Sequence, residues 1–303
     1  MKKFITIMFV FSLALIVAAC SSSTDDNNDK TPVDETAEKQ NGENTKDEST
    51  KTDNTDVTLE EQVIYEENDI KVTVTGLKND SFYGPEITVL IENNSTKNIT
   101  VQSRRSSING LMVDTMFSAD VAAGKKANDG ITFSTSELEA SGITTIKDIE
   151  LALHIIDADT WDEIANSDLI SLTTTADASF VQEYDDSGFV AYDADGVKVV
   201  IKKLNSSESF WGSDVYLYIE NNSDTDITIQ ARDVAVNGFM VDPMLSSDVG
   251  AGKKAFDTMT FMESDLTDNG ITDITDLEFK LHIFNTESWD TIKDTDSIKV
   301  TFD

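Results

Sequence analysis

The chain is short of the residues on which many functions depend. It holds a single cysteine, Cys20, so no disulfide can form within it, and two histidines in 303 residues. One cysteine and one histidine at each of two distant sites cannot make up a zinc-ligand set. Basic residues are scarce, with 23 Lys and Arg against 57 Asp and Glu and a formal net charge of −34. Phosphate backbones and anionic bilayer faces would be repelled by such a chain, which excludes DNA and RNA as partners. No Gly-x-Ser-x-Gly elbow and no glycine-rich phosphate loop occurs, so two common routes to hydrolase and nucleotide chemistry are closed. Only one long apolar run exists, Phe4 to Ala19.

That run follows Lys2 and Lys3 and is short for a membrane span, which is the pattern of a targeting signal over residues 1–20. It ends in Val17-Ala18-Ala19-Cys20, which resembles a bacterial lipobox with valine in place of the commoner leucine at its first position. The resemblance implies cleavage before Cys20, acylation of its thiol and tethering of the chain to the outer face of a cell membrane. Residues 21–56 are rich in Asp, Glu, Asn, Thr and Lys, with Val33 and Ala37 as their only aliphatic side chains. Such a segment cannot bury enough surface to offset its ordering entropy and is expected to be a disordered tether, about 30–35 Å from end to end.

What the sequence does have is a repeat. Ile108 to Ala127, INGLMVDTMFSADVAAGKKA, returns as Val236 to Ala255, VNGFMVDPMLSSDVGAGKKA, at a step of 128 (237 − 109). Trp161 and Trp289 keep that step, while Val63 and Tyr65 match Val190 and Tyr192 at 127. One residue therefore enters near 204–209. Two modules, 57–176 and 188–303, are expected, joined by an acidic linker over 177–187 whose Phe180, Val181 and Tyr184 suggest packing against a module.

Within each module the apolar period is 2. Ile70, Val72 and Val74 alternate with polar residues, as do Ile87, Val89 and Ile91, and Leu151, Leu153 and Ile155. The second module repeats each set. Alternation of this kind marks half-buried antiparallel strands. Asn93-Asn94-Ser95 and Asn221-Asn222-Ser223 are turn chemistry, and Asn109-Gly110 and Asn237-Gly238 predict tight hairpins. Asp193-Ala194-Asp195-Gly196 is likewise read as a hairpin turn, since it lacks the downstream Glu of a calcium loop. One short helix per module is expected, near 136–141 and 264–269, each stopped by a glycine, Gly142 or Gly270. The fold class is all-β: two tandem immunoglobulin-like antiparallel sandwiches. The order strand, NNS turn, strand, NG hairpin, AGKK loop and Phe-bearing strand resembles the immunoglobulin-like, telokin-like domains of Gram-positive lipoproteins. That resemblance implies a binding or structural module without catalytic residues.

Candidate sites come in pairs. Lys125-Lys126 and Lys253-Lys254 form a basic spot on an acidic chain: either a solvated turn or a contact for an acidic protein or a cell-wall polymer. Phe82-Tyr83 and Phe210-Trp211 lie in loops between strands, as core caps or as a platform for a sugar or protein. Trp161 and Trp289 are expected to plug one end of each sandwich. His154 and His282 read as structural. An Asn-Gly turn would set Arg105 opposite Asp114 but Asp233 opposite Asp242, like charges that either Arg232 or a bound divalent cation would relieve. No cofactor is expected. The sequence thus points to a lipid-anchored, non-enzymatic binding or adhesion protein of the envelope, or to a spacer within an envelope complex. Its partners would be the membrane, through the lipid, and an envelope protein or polymer.

Overall fold

The computed structural model describes residues 57–205 and 212–302. Cys20, the residues 21–56, Phe210 and Trp211 lie outside the described residues. The strands in the first half are β1 Gln62–Glu67, β2 Ile70–Lys78, β3 Glu86–Asn93, β4 Ile99–Ile108, β5 Leu111–Met112, β6 Thr115–Met116, β7 Ser118–Val121, β8 Lys125–Phe133, β9 Asp148–Asp157, β10 Glu163–Asn166 and β11 Ile170–Thr173, with helix α1 Thr135–Ala140 before β9. The second half holds β12 Phe189–Ala194, β13 Val197–Asn205, β14 Gly212–Asn221, β15 Ile227–Val236, β16 Phe239–Met240, β17 Ser246–Val249, β18 Lys254–Met262, β19 Asp276–Asn285, β20 Thr291–Asp294 and β21 Ile298–Thr301, with helix α2 Glu263–Asp268.

The chain is an all-β pair of sandwiches. In module 1 the sheet β1-β2-β3-β8-β6 packs on a second sheet built on β9 and β4, with β5, β7, β10 and β11 alongside. In module 2 β12-β13-β14-β18 packs on the sheet built on β15 and β19. The alternating residues supply the cores. Ile70, Val72, Val74, Ile87, Val89 and Ile91 are buried in one, and Val197, Val199, Ile201, Val215, Leu217 and Ile219 in the other. Each such side chain removed from water contributes about 1.5–3 kcal/mol before entropy is counted. Both helices are single short stretches ended by Gly142 and Gly270 at φ 69° and 70°, the left-handed conformation that glycine adopts without steric cost.

The hairpin turns follow the sequence. Asn109 and Gly110 both have positive φ, as do Asn237 and Gly238, and Asp195 and Gly196. Each asparagine in the NG pairs does more than turn the chain. Asn109 Oδ1 accepts from the N–H groups of Lys147 and Asp148, while its Nδ2 donates to Thr145 O, so it ties the hairpin to the entry of β9. The first asparagine of each NNS is wholly buried. Asn93 Nδ2 donates to the carbonyls of Lys97 and Val121, and Asn221 Nδ2 to those of Thr225 and Val249. These two residues brace corners between strands, each giving a buried donor to a carbonyl of the facing strand, Val121 O or Val249 O.

The two modules are joined by sheet. The second sheet of module 1 continues into the first sheet of module 2 where β5 pairs in parallel with β18, giving ten strands in one surface. Lys254 N–H donates to Gly110 O at 2.9 Å across that seam. Tyr184, from the linker, packs against the core of module 1 and donates to the carbonyls of Asn109 and Ile108, whereas Val181 stands exposed.

Candidate functional site

The four lysines do not form one basic spot. Lys126 pairs with Glu92, and its equivalent Lys254 pairs with Glu220 at 3.3 Å, each across the neighbouring strand. Hydrogen bonding to Lys126 holds the Glu92 carboxyl below its ordinary range. Lys253 reaches the other module and pairs with Glu150 of β9. Lys125, its equivalent, is exposed and makes no ion pair among the described residues. The same dipeptide therefore serves three purposes, set by what lies opposite.

The carboxylate pair that prompted a cation does not arise. An extra residue enters β4 between Arg104 and Ser107 and β15 between Arg232 and Ala235, with Arg105 and Asp233 at φ 55° and 50°. These bulges turn both side chains out of the hairpin register. Arg105 leaves Asp114 and meets Asp226 of module 2 at 2.5 Å, and Asp233 leaves Asp242 and meets Lys280 at 2.9 Å. That partner, chiefly through its hydrogen bond, lowers the Asp233 pKa. Among the described residues no group of three or more His, Cys, Asp or Glu is placed to hold a metal ion. His154 Nδ1 lies 2.6 Å from Asn166 Oδ1 and His282 Nδ1 lies 2.6 Å from Asp294 Oδ1, contacts to the adjoining short strands β10 and β20. His154 is buried, whereas His282 is only partly so.

Sequence repetition and exposure part company at the joint. Leu111 is buried and Met112 packs against the core of module 2, whereas the matching Phe239 and Met240 are 49 % and 66 % exposed. Tyr184 and Tyr218 both meet Phe256, at ring-centre distances of 6.2 and 5.4 Å. A cleft of about 1110 Å³ opens beside this joint, lined by Arg104, Met112, Glu137, Phe256, Asp257 and Thr286 among others. Burial raises the pKa values of Glu137 and Asp257, the latter also through Asp114 and Asp248.

The aromatics are the second departure. Phe82 and Tyr83 do not cap a core: they are 92 % and 64 % exposed and meet edge to face at 4.8 Å. Gly84 behind them forces the position. A Cβ on it would lie 2.1 Å from Phe133 O, so the chain hugs the end of β8 and the two rings are thrown outward. Trp161 and Trp289 do not plug the sandwiches either. Each is 73 % exposed and sits at φ 64° or 63°, held in a tight turn by its N–H donating to Asp157 O or Asn285 O. A non-glycine residue in this conformation costs about 1–3 kcal/mol. Trp289 stacks on Phe284 at 5.4 Å and 17°, and Phe284 in turn lies 5.1 Å from His282. Module 1 has Ile156 where module 2 has Phe284, so Trp161 lacks that support. Sequence reasoning missed this conformation; the one available signal was the W-D-x-I turn repeated unchanged in both copies.

No family model matches the chain, and no curated protein matches it. Among solved structures 22 chains match. One is the YadV chaperone, 12% identical over a match covering 77% of this chain and 100% of that one, with a TM-score of 0.23. No helix among the described residues is long and apolar enough to cross a membrane.

Proposed function

We propose that this protein is a lipid-anchored, extracytoplasmic, non-enzymatic binding protein of a Gram-positive envelope, acylated at Cys20 and holding its partner through exposed aromatic side chains on both modules. One observation carries this reading: Trp161 and Trp289 are presented to solvent in the same strained left-handed turn, at the same exposure, in two copies that differ at roughly half their positions. Exposed tryptophans give large contact area at little conformational cost, and strain of this kind gathers where a surface is used. The lipobox-like Cys20 and the acidic tether support the placement, and the net charge of −34 favours an uncharged or basic partner, such as an envelope protein or a neutral face of a cell-wall polymer. The joint between the modules supports a second reading, a rigid spacer in an envelope complex.

The test is retention on isolated cell envelopes of the full chain carrying Trp161→Ala, Trp289→Ala or both. Loss of most binding in the double variant, with an unchanged melting temperature, is the expected result. Retention equal to the native chain would remove the binding reading and leave the spacer.

A further inference from the structure

We propose that this protein docks on a second copy of itself, head to tail, by repeating between chains the joint that links its own modules. That joint pairs unlike faces. Module 1 offers its Asn-Gly hairpin, with Leu111 and Met112, together with Glu150, and module 2 offers Gly250 and the start of β18, with Lys253 and Lys254. Because the two faces differ, the joint within one chain leaves that chain one unused face of each kind. The unused hairpin face is on module 2: Phe239, Met240 and Glu278, each 128 residues beyond its counterpart. The unused edge is on module 1: Ala122, Lys125 and Lys126.

Both faces are in the state expected of an interface without its partner. Phe239 and Met240 are exposed where Leu111 is only 1% exposed. On the other side β6 pairs with β8 only at Thr132 and Phe133, so the outer edge of β8 at Lys125 and Lys126 has no strand alongside it among the described residues. Lys125 has no ion pair among the described residues, and in the repeated joint it faces Glu278 as Lys253 faces Glu150. Ala122 stands where the joint has Gly250: a Cβ on Gly250 would meet the facing Met112 Sδ at 3.7 Å, an ordinary contact, and its tighter approach, 3.2 Å to Lys253 Cγ, is within its own turn. Three features of the joint are not repeated. Glu278 already pairs with Lys299 at 2.8 Å, where Glu150 has only Ser171 beside it, so Lys125 would share that carboxylate. Arg105 and Asp226 become Asp233 and Asn98, and Phe256 becomes Asn128, so the stack with Tyr184 is lost. The contact between chains is therefore weaker than the one within a chain, and the net charge of −34 on each copy opposes it, so it depends on the local concentration that the proposed membrane tether would supply.

The experiment places a photoreactive benzoylphenylalanine at position 239 of the full chain in expressing cells and maps the adducts by mass spectrometry. The expected product is a two-chain adduct whose second site falls within residues 122–126. Lys125→Glu should lower its yield about fivefold, the scale of one exposed ion pair reversed. Pairing Lys125→Glu with Glu278→Lys should restore it. A two-chain adduct mapped elsewhere, adducts to other proteins alone, no adduct, or a yield indifferent to Lys125→Glu would each overturn the proposal.

Discussion

Modules 1 and 2 share a skeleton and differ at their ends. Phe133 and Phe261, Asn93 and Asn221, Gly84 and Gly212 occupy matching places with matching contacts. Yet the hairpin of one is covered and that of the other is open. Lys97 pairs with the buried Asp157 at 3.0 Å in module 1, while Thr225 and Asn285 stand there in module 2 beside a cavity of about 330 Å³. The lesson is that duplication preserved what closes each core and released what each end touches.

The largest expected effects test the shared skeleton. Phe133→Ala and Phe261→Ala should each cost about 3–5 kcal/mol in chemical denaturation, because both rings are fully buried. A marked inequality between them would break the equivalence. Next come Asn93→Ala and Asn221→Ala, which remove donors to two and three carbonyls respectively, one of each set buried, and should cost about 2–3 kcal/mol each. Differences between the modules should appear below that scale. Glu150→Ala strands the half-buried Lys253 and should cost about 1–2 kcal/mol, splitting one calorimetric transition into two as the modules uncouple. A single undivided transition would show that the β5–β18 seam suffices. Asp257→Asn should raise the melting temperature at pH 7. Burial raises the folded pKa of Asp257 above its ordinary 3.8, so its contribution is favourable at low pH and declines as pH rises from 3.8. The gain should vanish toward pH 3. Smallest is the transplant Thr225→Lys with Asn285→Asp, about 2 °C of added stability if the module 1 ion pair can be rebuilt. Its pH dependence should follow Asp157, whose pKa is lowered chiefly by its hydrogen bond with Lys97. The gain is present above pH 3.8 and lost as pH falls through the lowered value.

Strand identity and facing were legible because a period of 2 sorts residues such as Ile87, Val89 and Ile91 from their polar neighbours without reference to the rest of the chain. The Asn-Gly turns and the glycine after each helix were legible because few residues accept positive φ. The bulges at Arg105 and Asp233 were not. One inserted residue leaves the alternation intact on both sides and only redirects a side chain, so the predicted facing of Arg105 and Asp114 failed. The exposure of Trp161 and Phe82 was hidden for a different reason: burial is the ordinary fate of aromatics, and only the local backbone overrides it. The joint left one trace, substitutions clustered within the best-preserved stretch, with Phe239 for Leu111 and Gly250 for Ala122. Differences between copies marked the interface better than their agreement did.

The modules meet through the β5–β18 pairing and a half-buried tyrosine as well as through the linker, and this bears on the two exposed tryptophans. Flexibly linked sites search a volume and accept any partner within reach, at an entropic cost when the second one engages. Sites set at a fixed separation act as a ruler: a partner whose own spacing matches engages both at once, and one whose spacing does not match engages only one. A β5–β18 seam that stays closed would thereby turn a repeated contact into a measurement of the partner's period.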